Sequence, residues 1–181
     1  MKSLLLLILL VIIAVSGCVE TTTTTIPVAS FISYENDVYG ISVEYPDDWG
    51  ISENYMGGIV AFASLFEGAD DRFAENVNIF YEPLPNDTIT LDEYAGLSIS
   101  FLEDYFNDFE LLESKNTLIN NMLAKRLVYT YDQGTYIIKI MQILIVRDKE
   151  AFVITYTAES EKYDDYLDIA DHIIQSFRLT S

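Results

Sequence analysis

The eleven residues YIIKIMQILIV, Tyr136 to Val146, break their apolar run only at Lys139 and Gln142. A half-buried strand alternates apolar and polar side chains, whereas this one sends apolar side chains to both faces. Such a strand stays out of water only when further layers cover it on each side. The short polar links DQGT and RDKE join it to neighbouring strands at Met122 to Tyr131 and Ala151 to Thr157, which predicts an antiparallel meander.

Two amphipathic segments supply the covering layers. Thr90 stands three residues before Glu93, the spacing of a capping box, and Tyr94, Leu97, Phe101, Leu102 and Tyr105 then form one apolar stripe. A second helix starts near Ser160, with Tyr163, Tyr166, Leu167, Ala170, Ile173, Ile174 and Phe177 on its apolar face. Asp164, Asp165, Asp168 and Asp171 lie off that face. Shorter strand candidates precede the first helix, at Phe31 to Tyr34, Ile41 to Tyr45, Gly50 to Asn54, Ile59 to Phe66 and Asn76 to Glu82. The expected class is α/β of the α+β type, an α/β/α sandwich with a central, mainly antiparallel sheet and helices on both faces.

The chain divides into three parts. Residues 1–17 hold a lysine, twelve apolar residues from Leu4 to Val15 and the small pair Ser16 and Gly17. That run is too short to span a bilayer and reads as an export signal. Residues 18–30 are a Thr-rich linker behind Cys18, the only cysteine. Residues 31–181 are long enough for one domain that buries roughly 68–70% of its unfolded surface.

Val15, Ser16, Gly17 and Cys18 match the lipobox of prokaryotic lipoproteins, so the first segment resembles a lipoprotein signal. The resemblance implies cleavage before Cys18 and a thioether-linked lipid on it, and hence an extracytoplasmic protein held to the cell membrane. Two acyl chains on one residue give stable anchoring where a single chain is marginal. Removing residues 1–17 discards Lys2 and no acid, so the formal charge of −19 becomes −20. Such a surface repels phosphate backbones and excludes nucleic acid as a partner. It favours a basic protein partner in the envelope. With Cys18 acylated, no thiol remains for a disulfide, a thiolate metal site or a nucleophile.

The segments VYGISVEYPDDW, with Tyr39, Gly40, Tyr45, Pro46 and Trp49, and AFVITYTAESEKYDDYLDIADHIIQSF resemble the opening hairpin and the closing strand and helix of PsbP-like domains. The similarity covers about residues 31–178. It implies the α/β/α sandwich that this family shares with a Ran-binding nuclear import factor. It also implies a domain that binds or stabilises a partner without catalysis or cofactor. The matched residues look structural: Pro46 shapes a turn, Tyr45 and Trp49 pack, and Phe177 closes the core. A photosynthetic role does not carry over with the fold.

Chemistry-bearing residues are few. His172, with Asp168 four residues before it and a serine such as Ser98, sketches a small envelope hydrolase or transferase, but no nucleophile-elbow motif accompanies them. The acids Asp164, Asp168 and Asp171, or Asp70 and Asp71, raise a calcium or manganese module, although no D-x-D-x-D-G spacing occurs. Asp70 and Asp71 in the loop EGADDRFAE, with Tyr55 and Met56 before the Gly57-Gly58 turn, are the candidate partner contacts. Asn86, in the sequon Asn86-Asp87-Thr88, is a candidate glycan acceptor.

Overall fold

The computed structural model describes residues 30–69 and 71–180. Ten strands and two α-helices follow one another as β1 (Phe31–Asn36), β2 (Ile41–Pro46), β3 (Gly50–Glu53), β4 (Val60–Ala63), β5 (Asn76–Pro83), α1 (Leu91–Tyr105), β6 (Glu110–Ile119), β7 (Met122–Asp132), β8 (Ile137–Arg147), β9 (Glu150–Glu159), α2 (Tyr163–Ser176) and β10 (Arg178–Leu179). Seven of the strands form one antiparallel sheet in the order β3-β4-β5-β9-β8-β7-β6. The class is α+β, with a layer on each face of that sheet.

β8 behaves as its composition demands. Ile138, Ile140 and Leu144 enter one core with Tyr94, Ala95 and Leu102 of α1. Met141, Ile143 and Ile145 enter the other with Ala170, Ile173 and Ile174 of α2. The two polar residues inside it, Lys139 and Gln142, are accommodated separately. The Lys139 ammonium stands 4.0 Å from the centre of the Tyr163 ring. Gln142 Nε2 donates to Thr155 Oγ1 at 3.3 Å.

The capping box forms at the start of α1: Thr90 Oγ1 accepts from the Glu93 amide at 3.2 Å, and the Glu93 carboxylate accepts from the Thr90 amide at 2.9 Å. α2 begins at Tyr163, a turn later than Ser160, because residues 160–162 make the tight turn off β9.

Two elements differ from expectation. The opening strands β1 and β2 do not join the central sheet. With β10 they form a separate three-stranded sheet, β1-β2-β10, that lies beside α2 on one face of the large one. Here Gly40 has φ +58, and a Cβ on it would stand 2.8 Å from the Thr180 carbonyl oxygen, so the position admits glycine alone without a backbone shift. The second difference is β6, a ten-residue edge strand in a stretch whose composition carries no strand signal. Only Ile119 of it is buried, and a bulge between Leu111 and Glu113 breaks its period.

The motif residues of the two ends pack as expected. Trp49 is 7% exposed, with its ring centroid 6.2 Å from that of Tyr166. Tyr45 stacks on Phe62 at 4.5 Å, and Phe177 is fully buried beside Phe152. Among the described residues no helix is long and apolar enough to cross a membrane.

Candidate functional site

Between β4 and β5 the chain leaves the sheet at Ser64 and returns at Asn76, and a bond from the Ser64 amide to the Glu75 carbonyl (2.8 Å) closes the excursion. Asp71 shapes this loop from within. One of its carboxylate oxygens accepts from the Glu67 amide at 2.7 Å and the other from the Phe73 amide at 3.1 Å. Its side chain therefore braces the loop and is not simply displayed. Asp70 lies outside the described residues.

Glu67 reaches across to the start of α2. Its carboxylate accepts from Tyr166 Oη at 2.8 Å and pairs with the Lys162 ammonium. The Lys162 bond holds the Glu67 carboxyl below its usual range. Glu75 is the opposite case. Only 3% exposed, it is pushed up to about 7, first by burial and then by the charges of Asp71, Glu159 and Glu67. Burial, reinforced by Asp71, also raises Glu159.

Strand register extends these acidic surroundings along one end of the sheet. The pairs Asn76↔Thr157, Ile138↔Glu159, Ile137↔Asp132 and Glu110↔Thr130 bring Glu75, Glu159, Asp132 and Glu110 to the same end. Glu161, Asp164 and Asp165 add exposed carboxylates at the start of α2, where the helix dipole favours them. The opposite end carries the Asn120-Asn121 and Asp148-Lys149 turns with Arg147 and Arg178 nearby. What the acidic end offers chemically is a field for cationic groups, with Glu75 changing its charge near neutral pH.

The other candidates are dispersed. Tyr55 and Met56 occupy a 3₁₀ turn, Tyr55–Gly57, between β3 and β4; Met56 is 45% exposed with φ 51, a left-handed conformation that costs energy outside glycine. β4 pairs Val60 with Ile79 and Ala63 with Asn76, so this turn and the Asp71 loop leave opposite ends of the strand. They do not form one contact surface. Asn86 is exposed in the β5–α1 loop, where its Oδ1 accepts from the Thr88 amide at 3.0 Å and from Thr88 Oγ1 at 2.6 Å. Cys18 lies outside the described residues.

The hydrolase constellation does not assemble. Ser98 is fully buried on α1 and donates to the Tyr94 carbonyl at 2.8 Å. His172 is on α2, across the sheet, where its Nε2 meets Glu44 Oε2 at 3.0 Å and its ring stacks on Phe31 at 3.7 Å. Among the described residues no three His, Cys, Asp or Glu side chains are grouped to hold a metal ion.

Sequence reasoning missed a buried polar row on the α1 face. Register aligns Asn78 with Thr155 and Thr155 with Gln142, beside Asn76 and Thr157. All five are buried, and among the described residues Asn78 Oδ1 and Gln142 Oε1 have no hydrogen-bond partner. The signal was present as polar residues of equal parity in NVN and TYT, opposite the glutamine of the apolar strand.

Comparison with known proteins places this geometry. The DcrB family model matches residues 65–176. The solution structure of cyanobacterial PsbP (CyanoP) from Synechocystis sp. PCC 6803 is similar with TM-score 0.64 at 16% identity, covering 88% of this chain and 98% of that one. LpqN of Mycobacterium tuberculosis, described as involved in cell envelope biogenesis, is similar with TM-score 0.65 at 12% identity over 85% and 92% of the two chains. A putative regulator of unknown function from Pseudomonas aeruginosa gives TM-score 0.58 at 16% identity over 81% and 94%. No curated protein matches the sequence. At these identities the structural likenesses establish the PsbP-like fold.

Proposed function

The chain belongs to the DcrB family, and from that premise we propose that it is a lipid-anchored extracytoplasmic protein whose PsbP-like domain binds another envelope component without covalent chemistry. The lipobox cysteine is the anchor, and the membrane is reached through the lipid on Cys18. The partner is a basic protein surface, drawn to the acidic end of the sheet. The observation that carries this reading is the convergence of Glu67, Asp71, Glu75, Glu159 and the first turn of α2 at that end. LpqN, a protein of this fold involved in cell envelope biogenesis, supports it.

An acidic field raises association rates with a basic partner more than it fixes final affinity, and salt screens it over ~8 Å at physiological ionic strength. The test joins anchor and binding. Replacing Cys18 by Ser moves the protein out of the detergent phase, or leaves it as an unprocessed precursor. Crosslinking the wild-type protein in native membranes identifies the partner, and Glu161→Lys with Asp165→Lys reduces its capture at low salt. Both positions are exposed and neither braces the loop, unlike Asp71. A mature protein with a maleimide-reactive Cys18 thiol refutes the anchor. Equal capture of wild type and double variant at low salt refutes the acidic end as the contact.

A further inference from the structure

β6 is the last strand of the large sheet, ten residues long, and among the described residues no strand pairs with its outer edge. The opposite edge strand, β3, has four. Leu111, Leu112 and Leu118 stand exposed along β6, at 36%, 49% and 54%. A long uncovered edge is a template for another strand, and proteins that leave one open have a use for it or a guard on it. We propose that this edge is the interface between two copies of the chain, paired antiparallel about Ser114.

Charge selects both the face and the register. The chain holds 29 acids, yet residues 114–131 contain none and include Lys115, Lys125 and Arg126. Two copies paired along β6 about Ser114 bring no carboxylate opposite another, since Glu110 falls opposite Leu118 and Glu113 opposite Lys115. The β6–β7 hairpin turns through Asn120 and Asn121 with φ of 46 and 65, the two-residue turn that makes Ile119↔Met122 a hydrogen-bonded pair. Alternation along the ladder then turns the backbone groups of Ser114, Asn116 and Leu118 outward. Pairing Ser114 with Ser114 across a two-fold axis uses the outward groups of Ser114 and sets Glu113 of each copy opposite Lys115 of the other, in the closer, non-hydrogen-bonded positions. Within one chain Lys115 lies 2.9 Å from Glu113, whose other oxygen is held by Arg126 at 3.0 Å, so the carboxylate is already oriented. Moving the axis to Lys115 would oppose the two ammonium groups. The two-fold makes the contact isologous, so it closes on itself and does not propagate, and the bulge at Leu111/Glu113 limits its regular part to residues 113–115 of each copy.

The test is a disulfide across the axis, in the full chain in its native membrane. Hydrogen-bonded antiparallel partners have Cα atoms about 5.5 Å apart, within disulfide reach. Ser114→Cys should yield a covalent dimer on mild oxidation, and the wild type, with Cys18 alone, should not. Thr117→Cys should also fail, because the two copies of position 117 fall six residues apart, about 20 Å. Adding Lys115→Glu to Ser114→Cys should cut the yield about tenfold by opposing two glutamates at each pair, and adding Glu113→Lys as well should restore it. No dimer above wild type from Ser114→Cys, equal crosslinking at Thr117→Cys, or a yield indifferent to Lys115→Glu would each overturn the proposal.

Discussion

At the residue scale, Glu75 has the most particular consequence. Its carboxyl is buried and raised from 4.5 to about 7, so the folded state keeps the proton where the unfolded chain loses it. The stabilisation this gives is complete below pH 4.5 and disappears as pH rises through 7. Each tenfold gain in proton affinity on folding is worth about 1.4 kcal/mol, so the contribution is of order 3 kcal/mol. Glu67 and Glu93 act in the opposite sense, since their lowered carboxyls stabilise the fold above the usual range and release that contribution in acid. Thermal melts between pH 5 and 8 should therefore show wild-type stability falling with pH, and Glu75→Gln, neutral throughout, should flatten that slope. A variant that keeps the wild-type slope would assign it to other groups. Trp49 tests the packing instead. Buried to 7% exposure against Tyr166, it should cost about 3–5 kcal/mol when cut to alanine, and an unchanged melting temperature would contradict its place in the core.

At the element scale, the hairpin turn of β6–β7 joins two layers. Asn120 Nδ2 donates to the carbonyls of Gln175 and Phe177, both at 2.7 Å, where α2 ends and needs partners for its last carbonyls. Asn120→Gly keeps the positive φ but removes both bonds, and should cost about 1–3 kcal/mol, whereas Asn121→Gly should be neutral or slightly stabilising. Chemical denaturation of the two variants separates turn conformation from anchoring. These elements also show what the amino-acid sequence discloses. β8 was legible because every position before its terminal Arg147 but two is apolar, and α1 because its cap and stripe agree. β6 was not, since an exposed, bulged edge strand buries nothing that would leave a period. The partition of strands between two sheets was equally hidden: the β1–β2 hairpin reads the same whichever sheet it joins, and only β10, two residues long, fixes its neighbour. At the candidate site the acidic loop was visible as composition, but the inward use of Asp71 and the burial of Glu75 depend on where the loop folds back.

At the scale of the whole molecule, the decisive property is the unequal placement of charge. A net −19 spread evenly would repel weakly everywhere; here Glu67, Asp71, Glu75 and Glu159 perturb one another at one end, whereas residues 114–131 carry no acid. Repulsion concentrated at one end destabilises the compact state and is relieved by counterions. The melting temperature should therefore rise between ~10 mM and ~150 mM salt, as the Debye length contracts from ~30 Å to ~8 Å. Two triple variants with the same change in net charge separate location from total. Asp108→Asn, Glu110→Gln and Glu161→Gln neutralise exposed acids at the acidic end; Asp37→Asn, Asp87→Asn and Asp148→Asn do so at the other. Asp108 and Asp148 already have φ of 50 and 55, conformations asparagine adopts readily, so those two exchanges add no backbone strain. If net charge alone governs the repulsion, both triples flatten the salt dependence equally. If its placement governs, the first flattens it and the second leaves most of it. Equal slopes for the two triples would dissolve the acidic pole as a physical entity, and with it the reason for a basic partner to approach from that end.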